Sequence, residues 1–278
     1  MTLAVFLSVL AAAFLHAAWN AAIRSGGDKL QAMFRFTICQ GSFGLVLIFF
    51  VPWPEAHVWP WILASSVIHL AYQMFLGYAY QEGDLSRVYP IARGSAPMIV
   101  LAITLAFALE AVNALETFGS LILGFGILLM ARGVFFSGES RRMLPFALGS
   151  ACATAGYTLV DGLGARVMGD ATGYVAWILL GSAVLYTPLA LVLQPGVMAR
   201  TSLKTWGVSY LAGVASFVAY AIVVWGMTQA PIALVAALRE TSILFAVLIG
   251  WLAFGEKMDR GKAIAALMIV AGVVLIRL

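Results

Sequence analysis

The stretch that decides the fold is PIARGSAPMIVLAITLAFALE at residues 90–110, because it returns as VAALRETSILFAVLIGWLAFGE at residues 235–256. At a constant offset of 146 residues, Arg93 falls on Arg239, Ser95 on Thr241, Glu110 on Glu256 and Gly126 on Gly272. Charge inside an apolar helix is costly, so two such placements in register point to a repeated unit rather than to coincidence. The earlier parts agree more weakly: HAAWN at 16–20 falls on TAGYT at 154–158, an offset of 138.

Outward from these segments, apolar runs and their breakers predict helices over 3–23, 30–51, 59–80, 85–109 and 115–131. A second set follows over 144–163, 172–193, 204–227, 231–254 and 261–276. Breakers such as SGGD, QEGD, QPG and TQAP stand between them. The reading is an all-α integral membrane chain of ten transmembrane helices, with one five-helix repeat over 1–133 and another over 144–278. A five-helix unit that repeats must enter the membrane in the opposite sense the second time, so the repeats are inverted.

Composition agrees. Of 278 residues, 63% are apolar or aromatic and 10% are charged, and the mean hydropathy is +1.00. Soluble domains carry about 25% charged residues, so an ordinary water-soluble enzyme is excluded. Ten crossings of about 20 residues each consume most of the chain. Runs such as LAVFLSVLAAAFLHAAW at 3–19 lack the alternation of a barrel strand. MTLAVF carries no Lys or Arg, so the first run reads as a retained helix rather than a secretory leader. Cys39 and Cys152 lie in apolar runs and read as small buried hydrophobes, not as a disulfide.

The net charge of +4 is dispersed through short loops with no nucleic-acid-binding motif. Odd-numbered connections hold eleven of the sixteen basic residues, from Arg24 and Lys29 to Lys257, Arg260 and Lys262. The even side and termini hold two, Arg166 and Arg277, and Arg35, Arg93 and Arg239 lie within helices. Basic loops stay cytoplasmic, which places both termini on the non-cytoplasmic side.

The candidate site is read from polar residues inside helices. Arg93 and Arg239, at matched depth, are either the cationic part of a substrate pocket for a carboxylate or phosphate, or a structural pair in which Glu240 neutralises Arg239. His16 and Asn20 share one face of the first helix, with Trp19 beside them. His69 and Gln73 begin a polar stripe that continues to Gly77 and Tyr80. Ser209, Gly213, Ser216 and Tyr220 form another, read mainly as helix packing. Tyr89, Pro90 and Pro97 bracket Arg93 and predict a kink in the fourth helix. Asp161 reads as a solvated helix end in preference to a proton carrier. His16 and His69 are the proton-coupling candidates, since imidazole titrates near neutral pH. Trp53, Trp59 and Trp61 read as an interfacial belt.

HAAWN at 16–20, GDLSRVYPIARGSAP at 83–97 and FGEKMDRGKAIAALMIVAGVVLI at 254–276 together resemble the drug/metabolite transporter superfamily, in the form with two EamA domains. LEAVNALETFG at 109–119 departs from the repeat-ending pattern by lacking a glycine before Glu110. The resemblance implies a secondary transporter of the inner membrane, acting in efflux, and names no cargo. A small polar metabolite such as an amino acid or related organic anion is the leading reading. A lipid-linked sugar flippase is the runner-up, and a membrane enzyme or scaffold a distant third. No HExxH, CxxC, GxSxG or phosphate loop is present, and GLGARV at 162–167 lacks the third glycine of a dinucleotide site. Hence no enzyme, metal, cofactor or nucleic acid is expected. The expected partners are the bilayer and a small-molecule substrate, with room left for a coupling proton and a homodimer.

Overall fold

The computed structural model describes residues 1–23, 29–82, 85–130, 142–193, 196–198, 201–254 and 260–278. Side chains are described for all of these except 21–23, 29, 80, 85–90, 130 and 253–254. The described residues form helices and no strands. The first half holds α1 (Leu3–Ile23), α2 (Lys29–Leu47), α3 (Trp59–Glu82), α4 (Leu85–Ala106) and α5 (Ala114–Met130). The second holds α6 (Met143–Met168), α7 (Ala171–Leu193), α8 (Leu203–Gln229), α9 (Ile232–Arg239), α10 (Ser242–Phe254) and α11 (Arg260–Arg277).

Local chemistry sets several of these ends. Asn113 and Glu116 form a reciprocal capping box at the start of α5, each backbone N–H donating to the other's side chain at 2.9 Å. Ser202 caps α8 by accepting from the Thr205 N–H at 3.2 Å. Gly169 closes α6 in the left-handed conformation, with φ of 74°.

The surface is apolar and the interior is selectively polar. Leu211, Leu252 and Leu267 are 70%, 74% and 69% exposed, whereas Arg93, Arg239, Glu240, Asp161, His69 and Gln73 are buried. This inversion suits a lipid solvent, where exposed leucine costs nothing and an exposed charge costs several kcal/mol. Six segments among the described residues are long and apolar enough to cross a membrane, which makes this a multi-pass membrane protein. Cys39 is buried and Cys152 is exposed, and both are free thiols. The expectation that both are buried therefore fails for Cys152, whose thiol an apolar solvent tolerates.

Packing runs mostly between the halves. α1 packs on α8 and α3 on α6, while α4 packs on α6 and α10 on α1; α2 lies on α7 and α5 on α11. Exchanging the halves turns the first of these pairs into the second and the third into the fourth, and returns each of the last two to itself. The correspondence reaches single residues at α5 and α11. A Cβ on Gly119 would stand 2.9 Å from the Gly272 carbonyl oxygen, and one on Gly126 would stand 3.0 Å from that of Ala265. Adding 146 to 119 and subtracting it from 272 turns the first pair into the second.

The ninth segment departs from the expected single helix over 231–254. It divides into α9 and α10 at a tight turn, where Glu240 N–H donates to Ala237 O at 3.1 Å, Thr241 N–H to Leu238 O at 3.0 Å and Ile243 N–H to Glu240 O at 3.0 Å. These i to i+3 bonds are 3₁₀ geometry. By contrast, α4 stays helical through Pro90 and Pro97, and the break in helix lies beside Arg93's counterpart, Arg239.

On the face that carries the termini, the halves are closed together. Val5, Val9, Val100, Leu101, Met227 and seven of the eight residues of α9, Ile232 to Leu238, belong to one buried apolar cluster. At its edge, Glu110 Oε1 accepts from Arg166 Nη2 at 2.5 Å, and Glu110 Oε2 accepts from the Ile232 N–H at 2.6 Å. One carboxylate of the first half thus holds a cation and a helix N-terminus of the second. Arg166 also donates to Met227 O at 2.6 Å and Ala230 O at 3.1 Å. Trp53 and Trp59 meet Trp177 edge-on, at 4.9 and 5.2 Å between ring centroids.

Candidate functional site

The tight turn at Glu240 organises the interior. In a regular helix, neighbours i and i+1 do not face each other. Here the turn lets Arg239 donate to Glu240 Oε1 from Nε at 3.2 Å and Nη2 at 3.1 Å. The other oxygen, Oε2, stands 3.6 Å from Arg93 Nε on α4. Two guanidiniums therefore share one carboxylate. Both arginines are 5% exposed and Glu240 is 0% exposed, so these three charges are held away from water.

Arg93 has a further partner. Its Nη2 donates to His16 Nε2 on α1 at 2.7 Å, so that nitrogen bears a lone pair and the neutral ring carries its proton on Nδ1. Next along α1, Trp19 stands edge-on to His16 at 5.0 Å and stacks on Phe36 of α2 at 4.8 Å, with the planes 14° apart.

These side chains open on a cavity of about 120 Å³, with Arg93, Arg239, His16, Trp19, His69 and Gln73 in its wall. That is room for on the order of ten waters or one small solute. Trp19 Nε1 and Gln73 Oε1 are buried and have no hydrogen-bond partner among the described residues, leaving a donor and an acceptor for an occupant. Gln73 Nε2 is tied to Thr37 Oγ1 at 3.2 Å.

A second polar group stands behind the wall. Asp161 is 0% exposed, which corrects the expectation of a solvated helix end. Tyr220 of α8 and Tyr174 of α7 donate to its two oxygens, the latter at 3.5 Å, and His69 Nε2 lies 3.9 Å from Oδ2. Position along a helix gives depth; only packing of α3, α7 and α8 around α6 shows what surrounds it. Tyr157 stacks on His69 at 4.1 Å and lies under Arg239, whose Cζ is 5.9 Å from the ring centroid. The two polar groups thus meet across one aromatic ring.

Of the residues singled out in the sequence, the structure brings His16, Trp19, His69, Gln73, Arg93 and Arg239 to the cavity, with Glu240 directly behind. Asn20 is turned away: its amide donates to the His16 carbonyl at 2.9 Å, one turn back on its own helix. Tyr89 is helical within α4, but its side chain lies outside the described residues, as does that of Tyr80. Arg24, Arg132, Arg141, Arg200, Glu256 and Lys257 also lie outside them. Sequence reading did not assign Phe36, Gln40, Tyr72 or Tyr157 to the site, and it favoured a packing role for Ser216 and Tyr220; all six line the cavity. Gln40 donates to Ser216 at 3.2 Å across α2 and α8. A signal existed for Tyr157, which stands in TAGYT where Trp19 stands in HAAWN. Gly213, on the same stripe, is a packing contact, since a Cβ there would stand 3.0 Å from the Gln40 backbone nitrogen.

Comparison with known proteins gives three findings. Residues 141–278 match the model of the EamA-like transporter family. A solved crystal structure superposes with a TM-score of 0.81, covering 99% of this chain and 98% of that one at 17% identity, a likeness that establishes the fold. No curated protein matches the chain in sequence.

Proposed function

We propose, from the premise that the chain carries an EamA-like transporter domain and so belongs with the drug/metabolite transporters, that it is a secondary transporter of a small organic anion. Amino acids and related carboxylates are the substrate class. Its ten spans form two inverted five-helix repeats, residues 1–133 and 144–278, which rock around the central cavity and expose it alternately to the two sides of the inner membrane. Both termini are non-cytoplasmic, and export is the direction that family resemblance implies.

The observation that carries this reading is the sharing of Glu240 by Arg93 and Arg239 at the cavity wall. Two guanidiniums meeting at the wall offer an anion a cationic face. Guanidinium presents paired N–H groups to a carboxylate, which adds geometric selectivity to charge. The mapping of the Gly119–Gly272 contact onto Ala265–Gly126 supports the inverted repeat.

The test is transport of radiolabelled carboxylates by protein reconstituted into liposomes. Arg93→Ala is expected to abolish uptake while leaving yield and elution volume unchanged, and Arg93→Lys to retain a fraction of it. Unaltered transport by Arg93→Ala would remove the arginine pair from the site.

A further inference from the structure

We infer that Asp161, acting with His69, is a proton-binding site that loads together with the anionic solute, so that the protein moves one proton with each monoanion. This rests on the arginine pair being the anion site. The argument is one of buried charge. Facing the cavity or directly behind it, the described charged residues are Arg93 and Arg239 on one side of the ledger, Glu240 and Asp161 on the other. With both histidines neutral and Asp161 ionised, these sum to zero. A bound monoanion brings the sum to minus one, and a proton taken up by the Asp161–His69 pair restores neutrality. Low-dielectric surroundings penalise net charge, so binding of either the anion or the proton favours binding of the other.

The geometry marks this pair rather than His16 as the acceptor. His16 Nε2 is occupied by the Arg93 donor, and a proton there would break that bond and set cation against cation. His69 is oriented the other way: Nδ1 lies 3.0 Å from the Ser65 carbonyl, which fixes the ring proton on Nδ1 and leaves the Nε2 lone pair toward Asp161, 3.9 Å away. The groups facing Asp161 are Ser65 and His69 from α3, Tyr174 from α7 and Tyr220 from α8, with Tyr157, one turn back on its own helix, against His69 and Tyr220. Beyond Tyr157, α9 brings Arg239, while Arg93 on α4 is engaged with His16 and Glu240. Among the described residues no arginine or lysine lies within ion-pair distance of Asp161, so the group placed to share a proton with it is the titratable imidazole. His69 and Tyr220 both line the cavity, which gives the proton a route from cavity water to the buried carboxyl.

The experiment is calorimetric titration of the purified full chain with sodium acetate, lactate and benzoate, each in two buffers of different ionisation enthalpy, so that one data set reports affinity and protons bound. About one proton is expected per monocarboxylate near neutral pH, with affinity falling about tenfold per pH unit on the alkaline side. Asp161→Asn is expected to bind the same carboxylate with no proton uptake and no such pH slope, and Asp161→Glu to retain both. Carboxylate binding by the native chain without proton uptake overturns the inference and leaves the anion site standing. Proton uptake that persists in Asp161→Asn also overturns it. Failure to bind any of the three carboxylates overturns both readings together. Should Asp161→Asn not fold, the native titration and Asp161→Glu decide.

Discussion

His16 Nε2 accepts a hydrogen bond from Arg93 Nη2 at 2.7 Å, joining α1 of the bundle to the α4 guanidinium that also faces Glu240. The imidazole thereby fixes where the guanidinium points. Removing an acceptor from a charged donor costs about 1.5–3 kcal/mol, roughly ten- to a hundredfold in an equilibrium constant. His16→Leu should weaken carboxylate binding by that factor, while His16→Gln, which keeps an acceptor, should recover most of it. Calorimetry on the two variants decides, and equal affinities would show that the contact does not orient Arg93.

Glu240 lies within ion-pair distance of both Arg239 and Arg93. Glu240→Gln takes the adjacent counter-charge from buried Arg239, a loss of about 3–5 kcal/mol by analogy with broken buried ion pairs. A marked fall in thermal unfolding temperature in detergent is the expected result. Adding Arg239→Gln to Glu240→Gln should restore part of the stability, because it removes that stranded charge.

Gly272 meets α5 through backbone: a Cβ there would lie 2.6 Å from the Gly119 oxygen and 2.8 Å from the Leu123 nitrogen. Neither atom can move without moving a helix. Gly272→Ala should therefore destabilise by about 1–3 kcal/mol. Gly207 in α8 has nothing within 4 Å of the same position, so Gly207→Ala should stabilise by up to about 1 kcal/mol through helix propensity. Parallel thermal unfolding of the two alanine variants tests both signs.

Glu110 joins the halves on the face of the termini through Arg166 and the Ile232 N–H. Glu110→Gln weakens this seam without changing its volume. In a Cys152→Ser background, a Val9→Cys probe, fully buried in the native packing, should label with a maleimide several times faster once Glu110→Gln is added. The endogenous Cys39 supplies the internal control. Unchanged labelling would show that apolar packing alone keeps this face closed.

The helical, membrane-embedded class was legible because hydropathy and breaker residues report it directly, and the pairing of Arg93 with Arg239 was legible because a buried charge is rare enough to align on. Three things were not. The turn at Glu240 lies in LRETSIL, which holds neither proline nor glycine; it is stabilised by tertiary ion pairs that no local pattern announces. Asp161 gave its distance from a helix end but not the aromatic shell that three other helices bring. Asn20 shares a face with His16 by spacing, yet an amide can bond the carbonyl one turn back, and here it does.

The short helix α9 has one end at each of two events. Its first residue, Ile232, gives its N–H to Glu110, and its last, Arg239, lies in the cavity wall. Eight helical residues span about 12 Å, with all of their side chains packed and a 3₁₀ turn as the joint to α10. Such a segment is built as a lever: in the proposed transport cycle, a force on the arginine from an arriving anion would be delivered to the seam at the other end.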